Sequence, residues 1–463
     1  MGSSRGPVLQ LELDRDAGLP LHEQLERRLR DDIRSGRLVA GTPLPSSRAL
    51  SAALGVSRGV VSEAYVQLAS EGYLTSRQGA PVRVATAVKR RRPREPARSL
   101  LPRYGYDLRP GVPDFASFPM DAWLRSLRAA WREAPFDSLG QPDPRGVPEL
   151  REALAGQLAR TRGAAADAED VLVCGGFRDG FSVLCRWLRA SGVEHVAVED
   201  PGWHPHRLAI EQAGLRVVAV PVDGEGLRVD ALEASDAAVV VVTPAHQFPT
   251  GAVLSRERRA ALVEWAAAAE RLVVEDDYDG ELRYDGGGPG ALQGLAADRV
   301  VYIGSASKRL APALRLGWML TPSWLTWPLT ATLAVEAGGG DAIAQLALRD
   351  FVVRGELDRH LRRMRGRYER RRATLLGALA RELPAVRVRP APAAGLFVLA
   401  ELPAELDESA LVACAAELGV GVEGLELHRF EPRGDGGLVL GFGALAEPAL
   451  ERAVALLAGA ARG

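Results

Sequence analysis

The sequence predicts an α/β protein: a mainly parallel sheet forms the body, a smaller α+β unit closes it, and a winged helix-turn-helix unit precedes it. Three observations carry this expectation. From about residue 105 onward, short valine-rich runs (VLVC, VAVED, VVAVPVD, AVVVVTP, LVVEDD, VVYIGS, GWMLTP) alternate with helical stretches. Continuous apolar strands separated by helices belong to a sheet covered on both faces, which is the parallel arrangement. Before residue 76, apolar positions instead follow helical spacing and are broken by glycine turns. Between the two lies a segment rich in Arg and Pro without apolar period.

Taken in order, Leu21, Leu25, Leu29 and Ile33 recur every four positions and define one helical face, which Gly36 ends. Ser46 or Ser47 can cap a second helix carrying Leu50, Ala53 and Leu54, closed by Gly55. Ser57 caps a third, with Val61, Ala64, Tyr65 and Leu68 as its buried face. Helix, glycine turn and helix make a helix-turn-helix. YLTSRQGAPVRVA then reads as two short strands around Gln78 and Gly79, a wing. The expected domains are 1–85, a basic linker over 86–104 that is extended and mobile, and a body over 105–463. Within the body the large part runs from about 140 to 325 and the small part from about 350 to 463. A long Arg-rich helix near 350–382 leads into the small part, where FVLAELP and LVLGFGAL are strands.

Composition narrows the class. A length of 463 residues suits two or three domains, and 47% apolar with 25% charged residues is ordinary for a soluble protein. No run of about eighteen apolar residues is present and the start lacks a signal-peptide core, so a cytoplasmic protein without membrane span is expected. Cys174, Cys185 and Cys414 have no metal-like spacing; reduced thiols and no metal are expected. Residues 1–98 carry 17 basic and 10 acidic side chains, net +7, against net −8 for the remainder. A basic end on an acidic body points to a nucleic-acid partner, although residues 89–98 alone supply +5 of it and a solvated basic linker explains that part equally.

Only two lysines, Lys89 and Lys308, stand among 58 basic residues. Lys89 begins the basic run KRRRPR, where arginine serves as well. Lys308 lies in YIGSASKRLAPALRLGW, where a solvated charge has no evident purpose. A desolvated primary amine attacks carbonyls, whereas a guanidinium stays charged. The alternatives are codon bias that spared one lysine and a Schiff-base lysine, for which pyridoxal 5′-phosphate is the first carbonyl to consider. Neighbouring strand ends favour the second. Asp276 can hold a pyridine nitrogen protonated, and Tyr278 can donate to a phenolic ring oxygen. Ser305, Ser307 and Arg315 surround Lys308 with phosphate-binding groups. Gly175 and Gly176 follow a strand and open a helix, whose N–H groups bind phosphate. Trp203 offers a face for stacking. Singly, each has a structural explanation: a cap, an ion pair, a core aromatic. Together they sit where ligands bind in open α/β sheets.

The residues then resemble a known arrangement. PLPSSRALSAALGVSRGVVSEAYVQLASEGYL is similar to the winged helix-turn-helix of GntR-type regulators. GVPD, PDPRG, EDPGW, VTPAHQFPTG, VEDDYDGELRY, GSASK and LRLGW match, in order, an aminotransferase of fold type I. Their fusion is the mark of the MocR/GabR-type transcriptional regulators, which this chain resembles over nearly its whole length. The resemblance implies a regulator that binds pyridoxal phosphate and operator DNA and works as a domain-swapped homodimer. It implies an internal aldimine on Lys308, Asp276 on the pyridine nitrogen, and Tyr278 on the ring oxygen. It implies Ser305, Ser307 and Arg315 on the phosphate, with Gly176 and Phe177 in the phosphate loop. Trp203 stands where a stacking tyrosine is usual, and Arg429 matches an arginine for an effector carboxylate. Gln141, Arg178, Asp179 and Phe248 depart from the pattern, Phe248 replacing an asparagine that contacts the ring oxygen in the enzymes. For DNA, Arg48 and Arg58 are the leading candidates, with Ser46, Ser57, Gly59 and Ser62 beside them and Arg77 in the wing.

Two functions compete at this point. One is a transcriptional regulator that senses pyridoxal phosphate or an amino-compound effector through an aldimine at Lys308. The other is a working aminotransferase that carries a DNA-binding module. Retention of Lys308 in a lysine-poor chain argues against a fold that no longer binds cofactor.

Overall fold

The computed structural model describes residues 13–76, 80–85, 103–140, 142–284, 286–336, 339–432 and 435–462. They form two compact units, divided after Pro102. The expected linker falls outside the described residues from 86 to 102, as do Lys89, Gln78, Gly79, Arg77 and Gln141.

The first unit holds α1 (Leu21–Ser35), α2 (Ser47–Leu54), α3 (Arg58–Ser70), β1 (Leu74–Thr75) and β2 (Arg83–Val84). Gly36 and Gly55 end their helices at φ 80° and 64°, left-handed values that glycine adopts without steric cost. Leu25, Leu29 and Ile33 of α1 meet Val61, Ala64, Tyr65 and Leu68 of α3 in one core, to which Leu74 and Val84 contribute. Tyr65 Oη donates to the Pro45 carbonyl at 2.9 Å and ties α3 to the segment before α2. On α2 only Leu50 of the expected apolar set is buried. Leu54 is half-buried and Ala53 exposed, because α2 is two turns long and lies against α3 along one edge. β1 and β2 pair antiparallel as the expected wing.

The second unit is built on an eight-stranded sheet. In chain order its elements are β3 (Val171–Cys174), α4 (Phe177–Ala190), β4 (His195–Asp200), α5 (His204–Gln212), β5 (Arg216–Asp223), β6 (Gly226–Leu227), β7 (Val239–Val242), α6 (Arg256–Ala268), β8 (Leu272–Asp276), β9 (Val300–Ser305) and β10 (Gly317–Leu320). The spatial order is β3-β10-β9-β8-β7-β4-β5-β6. Pairing is parallel from β9 through β8, β7 and β4 to β5. GWMLTP departs from the parallel expectation: β10 runs antiparallel to both β9 and β3. Only a short connection with one 3-10 turn at Pro312–Leu314 separates β9 from β10, too little chain for the crossover helix that a parallel return needs. Every residue of β3, β7, β8, β9 and β10 is buried, as strands covered on both faces require.

The Arg-rich helix α7 (Glu356–Glu382) leads to a four-stranded antiparallel sheet. Its strands are β11 (Arg387–Val388), β12 (Phe397–Glu401), β13 (Glu423–Gly424) and β14 (Gly437–Gly441), in the order β11-β12-β14-β13. The start of the body is stitched to this small part, since Tyr106–Asp107 pairs in parallel with Val420–Gly421. Among the described residues no helix is long and apolar enough to cross a membrane.

Candidate functional site

The C-terminal ends of β3, β4, β7, β8 and β9 point to one side of the sheet, and the residues just past them line a single cleft of about 380 Å3. β3 delivers Gly176, Phe177 and Arg178; β4 delivers Trp203; β7 delivers Thr243; β8 delivers Asp276, Tyr278 and Asp279; β9 delivers Ser305, Ser307 and Lys308. Arg315 enters from the turn before β10, while Phe397, Leu396 and Glu423 close the cleft from the small part. The nine residues expected around a cofactor are thus together.

Lys308 is half-buried, and its Nζ donates to the Gly111 carbonyl at 2.6 Å. Gly111 has φ 72°, a left-handed value that favours glycine, and a Cβ there would lie 2.7 Å from Nζ and push the amine aside. Burial lowers the Lys308 pKa; Asp276, Asp279 and Glu423 oppose that effect.

The acids of EDDYDGE differ in their nearest partners. Strand alternation turns Glu275 away from the cleft. It accepts from Leu292 N at 3.0 Å and Gln293 N at 3.1 Å, and burial pushes it up to about 7. Asp276 faces the cleft beside His206 Nε2 at 3.0 Å, its pKa raised by burial and drawn back by that ring. Asp277 is buried against the Arg162 guanidinium at 2.7 Å and accepts from Tyr302 Oη at 2.5 Å. Burial alone raises its carboxyl, but Arg162 and Arg309 outweigh that and hold it below the ordinary value. Tyr278 Oη donates to the His246 carbonyl at 2.6 Å, and burial pushes this phenol well up. Asp279 lies 2.8 Å from His246 Nδ1, and Glu281 pairs with Arg309 at 2.7 Å.

Gly176 caps α4 at φ 107°, and Phe177 begins the helix. A Cβ on Gly317 would stand 2.5 Å from the Gly176 Cα, so glycine at the start of β10 admits this loop. Ser307 N donates to Ser305 Oγ at 3.4 Å. Arg315 is exposed and has no acidic partner among the described residues. Asp179 accepts from Gly175 N at 2.7 Å and so shapes the loop. Trp203 meets Phe177 and His206 edge-on, and Arg178 lies over its ring at 5.3 Å. Phe248 packs against Phe397 and the buried His428.

Arg429 is not in this cleft. Its guanidinium bonds to Glu426 at 2.9 Å and to both carboxylate oxygens of Asp435 at 2.9 and 3.0 Å, and it lines a separate groove with Arg387 and Glu401. Sequence reasoning missed His206, His246, Asp279 and Glu423. His206 alone left a signal, standing three residues after Trp203 at the start of a helix.

In the first unit Ser46 Oγ accepts from Ala49 N at 3.2 Å and Ser57 Oγ from Val60 N at 3.4 Å, capping α2 and α3. Arg58 Nε donates to Ser47 Oγ at 3.3 Å, which brings the two helix starts together. Ser46, Arg48, Ser57, Arg58 and Gly59 are exposed there, and Ser62 half-exposed.

An aminotransferase-like fold with an amine, a buried carboxylate and a helix N-terminus around one cleft, joined to a winged helix-turn-helix, defines a class of transcriptional regulators. The family "Aminotransferase class I and II" matches residues 107–429, and "Bacterial regulatory proteins, gntR family" matches residues 21–84. The chain is 36% identical to the HTH-type pyridoxine biosynthesis transcriptional regulator PdxR of Corynebacterium glutamicum, over 92% of this chain and 93% of that one. It is 32% identical to the probable rhizopine catabolism regulatory protein MocR of Rhizobium meliloti, over 93% and 92%. An archaeal alanine:glyoxylate aminotransferase superposes with TM-score 0.71 at 26% identity, over 78% of this chain and 91% of that one. A Pyrococcus horikoshii kynurenine aminotransferase, solved in complex with PMP, gives 0.69 at 25% identity, over 77% and 90%. The chain belongs to the MocR-type transcriptional regulators, a GntR helix-turn-helix fused to an aminotransferase class I and II domain. The aminotransferase class I fold family depends on pyridoxal phosphate.

Proposed function

We propose that this regulator binds pyridoxal phosphate at Lys308 and uses the site to sense the cofactor itself or an amino compound. The observation that carries the reading is the half-buried Lys308 amine in the same cleft as the buried Asp276 carboxylate and the open helix start at Gly176. When bound, pyridoxal phosphate supplies an aldehyde carbon that reacts with primary amines. Burial favours the neutral Lys308 amine, the form that attacks a carbonyl. Asp276, oriented by His206, would hold the pyridine nitrogen, and Tyr278 would donate to the ring oxygen. Trp203 would offer an aromatic face to the ring. Ser305, Ser307, Arg315 and the loop at Gly176 and Phe177 would hold the phosphate. The role of Arg315 is supported by its lack of an acidic partner among the described residues.

Operator DNA meets the starts of α2 and α3 through Ser46, Arg48, Ser57, Arg58, Gly59 and Ser62, with Arg77 as the wing contact. The protein works in the cytoplasm as a domain-swapped homodimer on paired half-sites. Occupancy of the cleft shifts the population of DNA-competent conformers.

The test has two arms. Purified protein given pyridoxal phosphate is expected to develop the visible band of the lysine-bound cofactor and to lose it in Lys308→Ala. A retardation assay with DNA upstream of the protein's own gene is expected to give a shift that the cofactor or amines alter. Fast steady-state transamination without any specific shift would establish the aminotransferase reading instead.

A further inference from the structure

Resting on the cofactor reading above, we infer that Arg178 is the receptor for a carboxylate on the effector, and that Glu423 restricts the effector to one carboxylate. The effector class is then a monocarboxylic amino compound with an apolar body. Four observations lead there. Arg429, the arginine expected for this task, has both terminal nitrogens engaged by Glu426 and Asp435 outside the cleft. Arg315 lies at the phosphate end, beside Gly175. Arg178 is the remaining arginine of the cleft, exposed at its mouth. It makes no hydrogen bond or ion pair with any described residue and rests on the Trp203 ring, 5.3 Å from its centroid. This contact holds the guanidinium over the ring and engages none of its N–H groups, which leaves the fork for a carboxylate to meet in bidentate fashion.

Another part of the lining has a different chemistry. Phe248, Leu396 and Phe397 are apolar, and Glu423 is the acid among them. Among the described residues, the one ion-pair contact of its carboxylate is with His428 Nε2 at 3.5 Å. An apolar carbon chain suits that wall, and a second carboxylate meets Glu423 as a like charge, which costs affinity.

The test uses the full chain loaded with pyridoxal phosphate and follows the cofactor's absorption during titration with matched probes: leucine against isopentylamine, β-alanine against ethylamine, and leucine against glutamate. Wild type is expected to bind the carboxylate member of each amine pair about tenfold more tightly, and leucine more tightly than glutamate. Arg178→Gln is expected to collapse the amine-pair ratios, and Glu423→Gln to narrow the leucine–glutamate gap. The preference for pyridoxal phosphate over pyridoxal, measured on the same variants, separates an effector role from a phosphate role. A larger loss there than in the carboxylate ratio overturns the inference for Arg178. So does a wild type that shows no carboxylate preference or binds no probe. A protein that stays colourless with pyridoxal phosphate fails the cofactor reading itself and takes this inference with it.

Discussion

His206 Nε2 stands 3.0 Å from a carboxylate oxygen of Asp276, with both side chains buried. The ring is held in place by Phe177, Phe181 and Trp203, whose centroids lie within 5.1 to 5.7 Å. Burial pushes the Asp276 carboxyl up, and His206 is what draws it back toward ionisation. A neutral Asp276 cannot hold a protonated pyridine nitrogen. His206→Phe is therefore expected to weaken pyridoxal phosphate binding about tenfold, the worth of one charge-assisted hydrogen bond. Asp276→Asn is expected to cost at least as much. Titration of the visible band measures both, and unchanged affinity in His206→Phe would show that Asp276 does not depend on it.

Glu199, at the end of β4, gives a stability prediction. Its carboxylate accepts from Thr243 N and Oγ1 and from Gln247 Nε2, yet burial pushes it up to about 7. The folded protein then holds this proton more tightly than the unfolded chain, whose value is the ordinary 4.5. The resulting stability is fully present below that value and is lost as pH rises through about 7. Glu199→Gln has no such titration. Relative to wild type it is expected to gain up to about 3 kcal/mol between these limits and to run parallel above them. Denaturation of the cofactor-free protein across that pH range reads the difference; a flat difference would refute the assignment.

Most of this architecture was legible because burial and strand alternation write themselves into composition. Valine-rich runs located six of the eight strands of the large sheet and the apolar run GWMLTP a seventh, four-residue spacing located α1, and the two-residue β6 left no such signal. The direction of β10 was not legible, since a strand's sequence does not record the length of chain available to turn it. The clustering of Asp276, Tyr278, Ser305 and Lys308 followed from their places at strand ends. The commitments of Arg429 did not: its acidic neighbours Glu426 and Asp435 flank it in sequence, but nothing there decides whether they face it. His246 and Asp279, separated by 33 positions, meet only once β7 and β8 are adjacent.

Arg162 and Asp277 form a closed ion pair beneath the cleft, with 4% and 0% side-chain exposure. Removing one partner leaves a buried charge, which costs about 3–5 kcal/mol. Arg162→Met is expected to lose stability in that range, because Tyr302 and Arg309 cannot fully replace the 2.7 Å contact. The double variant Arg162→Met/Asp277→Asn is expected to recover part of the loss, since no full charge is then stranded. Denaturation midpoints of the three proteins test this. Equal losses in the single and double variants would mean that packing, not charge, dominates at this position.

At the starts of α2 and α3, a structural and a DNA-binding role can be separated by neighbouring substitutions. Ser57 caps α3 through Val60 N, so Ser57→Ala is expected to cost about 1 kcal/mol of stability in the first unit. Arg58 is exposed, and its one hydrogen bond among the described residues is the 3.3 Å contact to Ser47 Oγ. Surface substitutions of that kind usually change stability by less than about 0.5 kcal/mol. Arg58→Ala should therefore leave the melting of the first unit nearly in place while weakening operator binding. If the side chain holds a phosphate, the slope of log affinity against log salt falls by about one and all sequences suffer alike. If it reads a base, discrimination falls by about 1–3 kcal/mol at one operator position and the slope holds. Affinity measured at several salt concentrations on operator and scrambled DNA distinguishes the two. An Arg58→Ala protein that binds both DNAs as wild type does would remove Arg58 from the interface.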